Sequence, residues 1–158
     1  MTLSFWDQKY DMPDYKYGKQ PNRFLSEQAV RLSPNSQVLL PGDGEGRNSV
    51  WLAGQGHCVT ALDSSALGLD KTRRLAAEKD VKLDIILADL EHWAPEPASF
   101  DAVVLTYVHL PPSWRALAHQ RLVQGLRPGG WLILEAFHPK QLGYRSGGPK
   151  EEALLFTR

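Results

Sequence analysis

The 158-residue chain has a single cysteine, Cys58, and no excess of either charge: Lys plus Arg and Asp plus Glu number 18 each. One thiol excludes an internal disulfide and fits a reducing compartment. The charge balance removes the electrostatic reason to expect nucleic acid or an anionic membrane as main partner. No run is apolar for long enough to cross a bilayer, and residues 1–9 lack the apolar core of a signal peptide. His57, His92, His119 and His138 have no metal-ligand spacing with one another or with Cys58, so no metal is expected. There is no internal repeat and no low-complexity tract. These absences lead to the expectation of a soluble, cytoplasmic protein. Cys58 opens the apolar run Cys58–Leu62 and reads as a buried structural thiol.

Apolar residues make up 42% of the chain, a globular share, and its length suits one domain over 1–158. Residues 1–21 are aromatic, polar and turn-forming with no sustained period. Asn22 is a candidate N-cap for a helix carrying Phe24, Leu25, Ala29 and Val30. Strands then alternate with helices. Strands are expected at 38–41, 57–62, 83–88, 101–106 and 131–137. Helices are expected at 47–55, at 65–79 with Leu67, Leu69, Leu75 and Ala76 inward, and from the Ser113 N-cap to about Leu126. Arg127-Pro128-Gly129-Gly130 stops that last helix. The tail, 138–158, begins as loop. This alternation implies right-handed βαβ units and an open, mostly parallel α/β sheet of about five strands with helices on both faces. The near-continuous apolar strands fit a sheet covered on both sides.

In such a sheet ligands bind outside the carboxyl ends of the strands. After the first strand comes Gly42-Asp43-Gly44-Glu45-Gly46-Arg47-Asn48. A turn through alternate glycines exposes backbone N–H groups and lets a ligand approach the main chain. The G-x-G-x-G spacing departs from the G-x-G-x-x-G of nicotinamide sites. Asp63 closes the second strand, about 20 residues on, where a carboxylate can accept hydrogen bonds from a ribose diol or cap the helix that follows. Asp89 ends the third strand, as an adenine-edge reader or a turn residue. Tyr107 and His109 follow the fourth. Lys71, Arg73 and Arg74 read as a solvated helix face.

This arrangement, with Leu126-Arg127-Pro128-Gly129-Gly130, resembles the class I S-adenosylmethionine-dependent methyltransferases. Phe5-Trp6-Asp7, Tyr17-Gly18, Pro21-Asn22 and Gly44–Asn48 are similar to the small bacterial tellurite-resistance-like subgroup. The resemblance implies a Rossmann-like sheet and S-adenosylmethionine as cofactor. Gly42, Asp43, Gly44, Gly46, Arg47 and Asn48 would lie against its methionine part. Asp63, with Ser64, would hold the ribose, and Asp89 and Leu90 would flank the adenine. Thr106 and Tyr107 would face the methyl, and Tyr17 belongs to an N-terminal lid. Tyr107 or His109 would orient a small acceptor, such as a thiol or chalcogen oxyanion, and Arg47 or Arg145 would attract its charge.

Two departures stand out. The acidic residue that such proteins often carry before the glycines is replaced by Leu40-Pro41, which leaves Asp43 to compensate. The family sheet has two further strands, whereas the pattern here stops at five, as in a shortened chain. The fifth strand is then an exposed edge, open to the tail or to a second copy in a homodimer. Two other readings are a cofactor-binding protein without catalysis and an NAD-dependent oxidoreductase.

Overall fold

The computed structural model describes residues 4–144 and 148–156. The sequence reading finds no regular element in 1–21, but a short helix, α1 (Phe5–Tyr10), forms there, capped by Ser4 Oγ, which accepts from Asp7 N at 3.1 Å. Six residues are too few to display a helical period. The second helix, α2 (Arg23–Gln28), starts at the expected cap, with Asn22 Oδ1 accepting from Leu25 N at 2.9 Å.

The expected alternation follows as β1 (Gln37–Pro41), α3 (Arg47–Gly54), β2 (Cys58–Asp63), α4 (Ala66–Glu78), β3 (Asp84–Leu87), β4 (Phe100–Thr106), α5 (Pro112–Gln124) and β5 (Leu126–Glu135). All four pairings are parallel, in the order β3-β2-β1-β4-β5. Strand order reverses between β1 and β4, so the loops leaving these two strands open a crevice at their carboxyl ends.

Successive residues of the central strands face opposite layers. Val38, Leu40, Val104 and Ile133 pack with Leu25 of α2 and Leu52 of α3. Leu39, Val103 and Leu105 pack with Ala118 and Leu122 of α5. Val50 of α3 meets Leu75 and Ala76 of α4, which fixes these two helices against each other.

Three local expectations are corrected. The helix cap is not Ser113: α5 begins at Pro112, with Pro111 preceding it and no side-chain cap. Arg127–Gly130, expected to lie ahead of a strand starting at residue 131, already belongs to that strand. It runs within β5 beside β4, across a register shift between Phe100 and Ala102, and Gly129 takes φ +81°. Cys58 is exposed, because it is the first residue of β2 and lies on the rim of the sheet rather than in its core. As expected, β5 is an edge, and Trp131 and Leu132 are each 43% exposed on it.

Candidate functional site

The turn after β1 needs its glycines. Gly42, Gly44 and Gly46 have φ of +65°, +67° and +91°, a region that residues with a Cβ rarely enter. The space their missing Cβ atoms leave is filled by the protein itself. A Cβ on Gly42 would lie 2.8 Å from Val108 Cγ2, one on Gly44 2.6 Å from Tyr10 Oη, and one on Gly46 2.7 Å from Thr72. The amides are also less bare than expected: Asp43 N donates to Leu62 O, Gly44 N to Asp63 Oδ2 at 2.8 Å, and Gly46 N to Asp43 O. The turn is therefore a closely packed joint of β1, β4, α1 and α4.

Asp63 is buried, and its other oxygen accepts from Ser65 N at 2.9 Å. It serves both the glycine turn and the start of α4, and Ser64 N is a third backbone donor to it, which leaves one lone pair for a further donor. Burial raises its pKa, against the lowering effect of these backbone bonds. Ser64, beside it, is exposed.

Asp43 accepts from Ser49 Oγ through Oδ2, while its Oδ1 is buried with no hydrogen-bond partner among the described residues. Burial pushes its carboxyl up to about 7, and the Asp63 charge adds to the rise. An acceptor left without a donor inside a crevice costs free energy unless a ligand supplies one.

Arg47, the first residue of α3, is the cation among these groups: its charge acts on Asp43, Tyr17 and Tyr107. Asn48 is buried and accepts from Asn22 N through Oδ1 at 2.8 Å. The N-terminal segment is clasped onto the turn at other points too. Asp7 Oδ1 accepts from Ser65 Oγ and Leu67 N. Glu45 Oε1 accepts from Lys16 N at 2.9 Å, and Tyr15 Oη donates to Lys71 O. Lys71 corrects the reading of a solvated basic face. Its Nζ is buried, 2.6 Å from Glu45 Oε2 and 2.7 Å from Asp14 O, whereas its helix neighbour Arg73 is exposed. Tyr17 stands half exposed at the rim. Tyr10, which the sequence reading passed over, is buried against Gly44 and Gly68. A small residue at position 68 of a helix is the one signal that a ring packs there.

Asp89 is exposed, and its Oδ1 accepts from Glu91 N in a tight turn, while Leu90 is buried in the α5-side core. Asp89, Glu91 and His92 bring three potential ligand atoms within 4.8 Å of one another on this exposed turn.

On the β4 side, Thr106 pairs with Glu135 at the last register position. Tyr107 takes φ +52°, an outlier for a bulky residue. Its hydroxyl donates to Glu135 Oε1 at 2.5 Å, and burial, then Glu135, pushes its pKa up to about 12. His109, expected to face an acceptor, turns both ring nitrogens to main chain: Nδ1 lies 2.7 Å from Leu154 O, and Nε2 accepts from Phe137 N at 3.4 Å. Arg145 lies outside the described residues. Among the described residues no helix is long and apolar enough to cross a membrane.

A methyltransferase-domain family matches residues 38–130, from β1 through most of the sheet. The chain belongs to this methyltransferase family. Its members use S-adenosylmethionine, and the unpartnered Asp43 oxygen and the remaining lone pair of Asp63 suit such a group. The chain is 31% identical over 123 residues to a probable thiol methyltransferase of Arabidopsis thaliana, covering 75% of this chain and 53% of that protein. It is 37% identical over 79 residues to a carboxy-S-adenosyl-L-methionine synthase of Geobacter metallireducens, covering 48% and 32%. It thus spans at most about half the length of these curated relatives. Among solved structures it resembles a phosphoethanolamine N-methyltransferase of Haemonchus contortus, seen with phosphoethanolamine and S-adenosylhomocysteine, with TM-score 0.72 at 21% identity over 97% of this chain and 34% of that one. A Pyrococcus horikoshii protein gives TM-score 0.68 at 23% identity over 75% and 54%.

Proposed function

We propose that this chain transfers a methyl group from S-adenosylmethionine to a small acceptor at the crevice between β1 and β4. The observation that carries the reading is the buried Asp43 oxygen without a donor, beside the Asp63 carboxylate at the same strand tips. Asp43 would accept from the cofactor's ammonium, which makes good the acidic residue missing at Leu40-Pro41. Asp63, with Ser64, would accept from the ribose diol, and Asp89 and Leu90 would flank the adenine. The Gly42–Gly46 turn, Arg47 and Asn48 would line the methionine part. Thr106 and Tyr107 would border the methyl, and Tyr17 would lie over the site with the clasped N-terminal segment. Bound there, the cofactor supplies a methyl carbon already activated by a positive sulfur. The protein's part is to orient the reactants and exclude water.

The likeness to a thiol methyltransferase supports a thiol as acceptor, with a chalcogen oxyanion as the expectation of the tellurite-resistance-like subgroup. A thermal-shift comparison tests the cofactor: S-adenosylmethionine and S-adenosylhomocysteine should raise the melting temperature and NAD should not, because a ligand of the folded state stabilises it by mass action. No shift with either adenosyl compound would overturn the reading.

A further inference from the structure

The tips of β4 and β5 hold a carboxylate that neither the cofactor seat nor the core accounts for. Glu135 is the last residue of β5. Its Oε1 accepts the Tyr107 hydroxyl, and its main-chain oxygen accepts Tyr107 N at 2.8 Å. Its Oε2 is buried with no hydrogen-bond partner among the described residues. Tyr107 takes a left-handed conformation that its side chain disfavours, and strain of this kind gathers at functional sites. The Tyr107 ring stacks on Phe137 with centroids 4.6 Å apart, and the His109 ring stacks on the same Phe137 at 5.8 Å. The next residue in the loop, Val108, packs on Gly42 of the turn. The Tyr107–Glu135 pair is therefore one strand away from the glycines.

We propose that Glu135 Oε2 is the recognition point for an amine acceptor, whose N–H would donate to it beside the stacked Tyr107 and Phe137 rings. The inference rests on the methyl-transfer reading and puts an amine in place of the thiol or oxyanion acceptor. A buried carboxylate oxygen lacking a donor is costly, and an amine supplies donors. The face of the Tyr107 ring turned away from Phe137 favours a nitrogen that carries positive charge. An oxyanion or thiolate in the same place would meet a like charge, which disfavours it. His109 keeps the wall in place through its two main-chain contacts, and it needs no direct touch on the acceptor.

The test uses three probes of one shape: benzylamine, benzyl alcohol and phenylmethanethiol. Binding of each to the full chain with S-adenosylhomocysteine is measured by calorimetry. Benzylamine should bind at least tenfold more tightly than the other two. Glu135→Gln should erase that preference and leave the affinity for S-adenosylhomocysteine unchanged. Equal affinities for the three probes, or an amine preference that survives Glu135→Gln, overturns the inference. The probe comparison uses the native chain, so it decides the matter even where Glu135→Gln fails to fold. Failure of S-adenosylhomocysteine itself to bind overturns the underlying reading instead, and the inference with it.

Discussion

Glu45 of the glycine turn and Lys71 of α4 form an ion pair at 2.6 Å with side chains only 4% and 3% exposed. The same ammonium holds Asp14 O and the same carboxylate holds Lys16 N. One buried pair thus ties the turn, α4 and the N-terminal segment together. Removing one partner strands a buried charge. Lys71→Met should cost about 3 kcal/mol, read by urea denaturation. Glu45→Gln with Lys71→Met should cost less than the two single changes added, because neither charge is then left alone.

The proposed contact of Asp43 with the cofactor's ammonium should make binding sensitive to pH near neutrality. Its folded pKa, pushed up to about 7, lies above the ordinary carboxylate value. The stability it contributes is fully present below the unfolded value and is lost as pH rises through about 7. Ligand binding runs the other way, because a cationic ligand prefers the ionised carboxylate. Affinity for S-adenosylmethionine should rise about tenfold per pH unit on the acid side of 7 and level off above it. Asp43→Asn should flatten that profile in calorimetry. A parallel profile in the variant would remove Asp43 from the site.

Asp63→Ala removes the acceptor of both Gly44 N and Ser65 N. The protein should lose about 1–3 kcal/mol for each amide left unpaired, and affinity for the cofactor should fall at least tenfold. Calorimetry separates the two effects. A destabilised variant that binds with native affinity would leave Asp63 as a structural tie between the glycine turn and Ser65, the N-cap of α4.

Gly44→Ala should be poorly tolerated. Its φ of +67° disfavours a Cβ, and that Cβ would lie 2.6 Å from Tyr10 Oη and 3.2 Å from Cζ. The cost should reach about 1–3 kcal/mol. Tyr10→Phe on the same background should recover part of the loss in thermal melts, since the nearest atom is the hydroxyl. No recovery would mean that backbone conformation, not the ring, sets the need for glycine.

Most of the sheet was legible because its signals are local. Val38–Leu40, Val59–Leu62 and Val103–Leu105 are runs whose length and composition suit buried strands, and Asn22 marks a helix start through its own side chain. Lys71 misled because a lysine on an amphipathic helix is ordinarily solvated, and its partner, Glu45, lies 26 positions away. Cys58 misled because an apolar run does not say where the rim of the sheet falls. Tyr10 was passed over because α1 is too short to show a period.

From the chain alone came the order of strands and helices, the glycine turn at the first strand tip and the carboxylates at the second and third. Each depends on neighbouring residues: side-chain alternation, backbone freedom, turn chemistry. Which groups meet across the crevice was decided only in three dimensions. The Glu45–Lys71 clasp, the donorless Asp43 oxygen and the Tyr107–Glu135 pair all join residues on different elements or depend on burial by them. Whether a polar atom keeps water or loses it is a property of the packed assembly, and no stretch of sequence carries it.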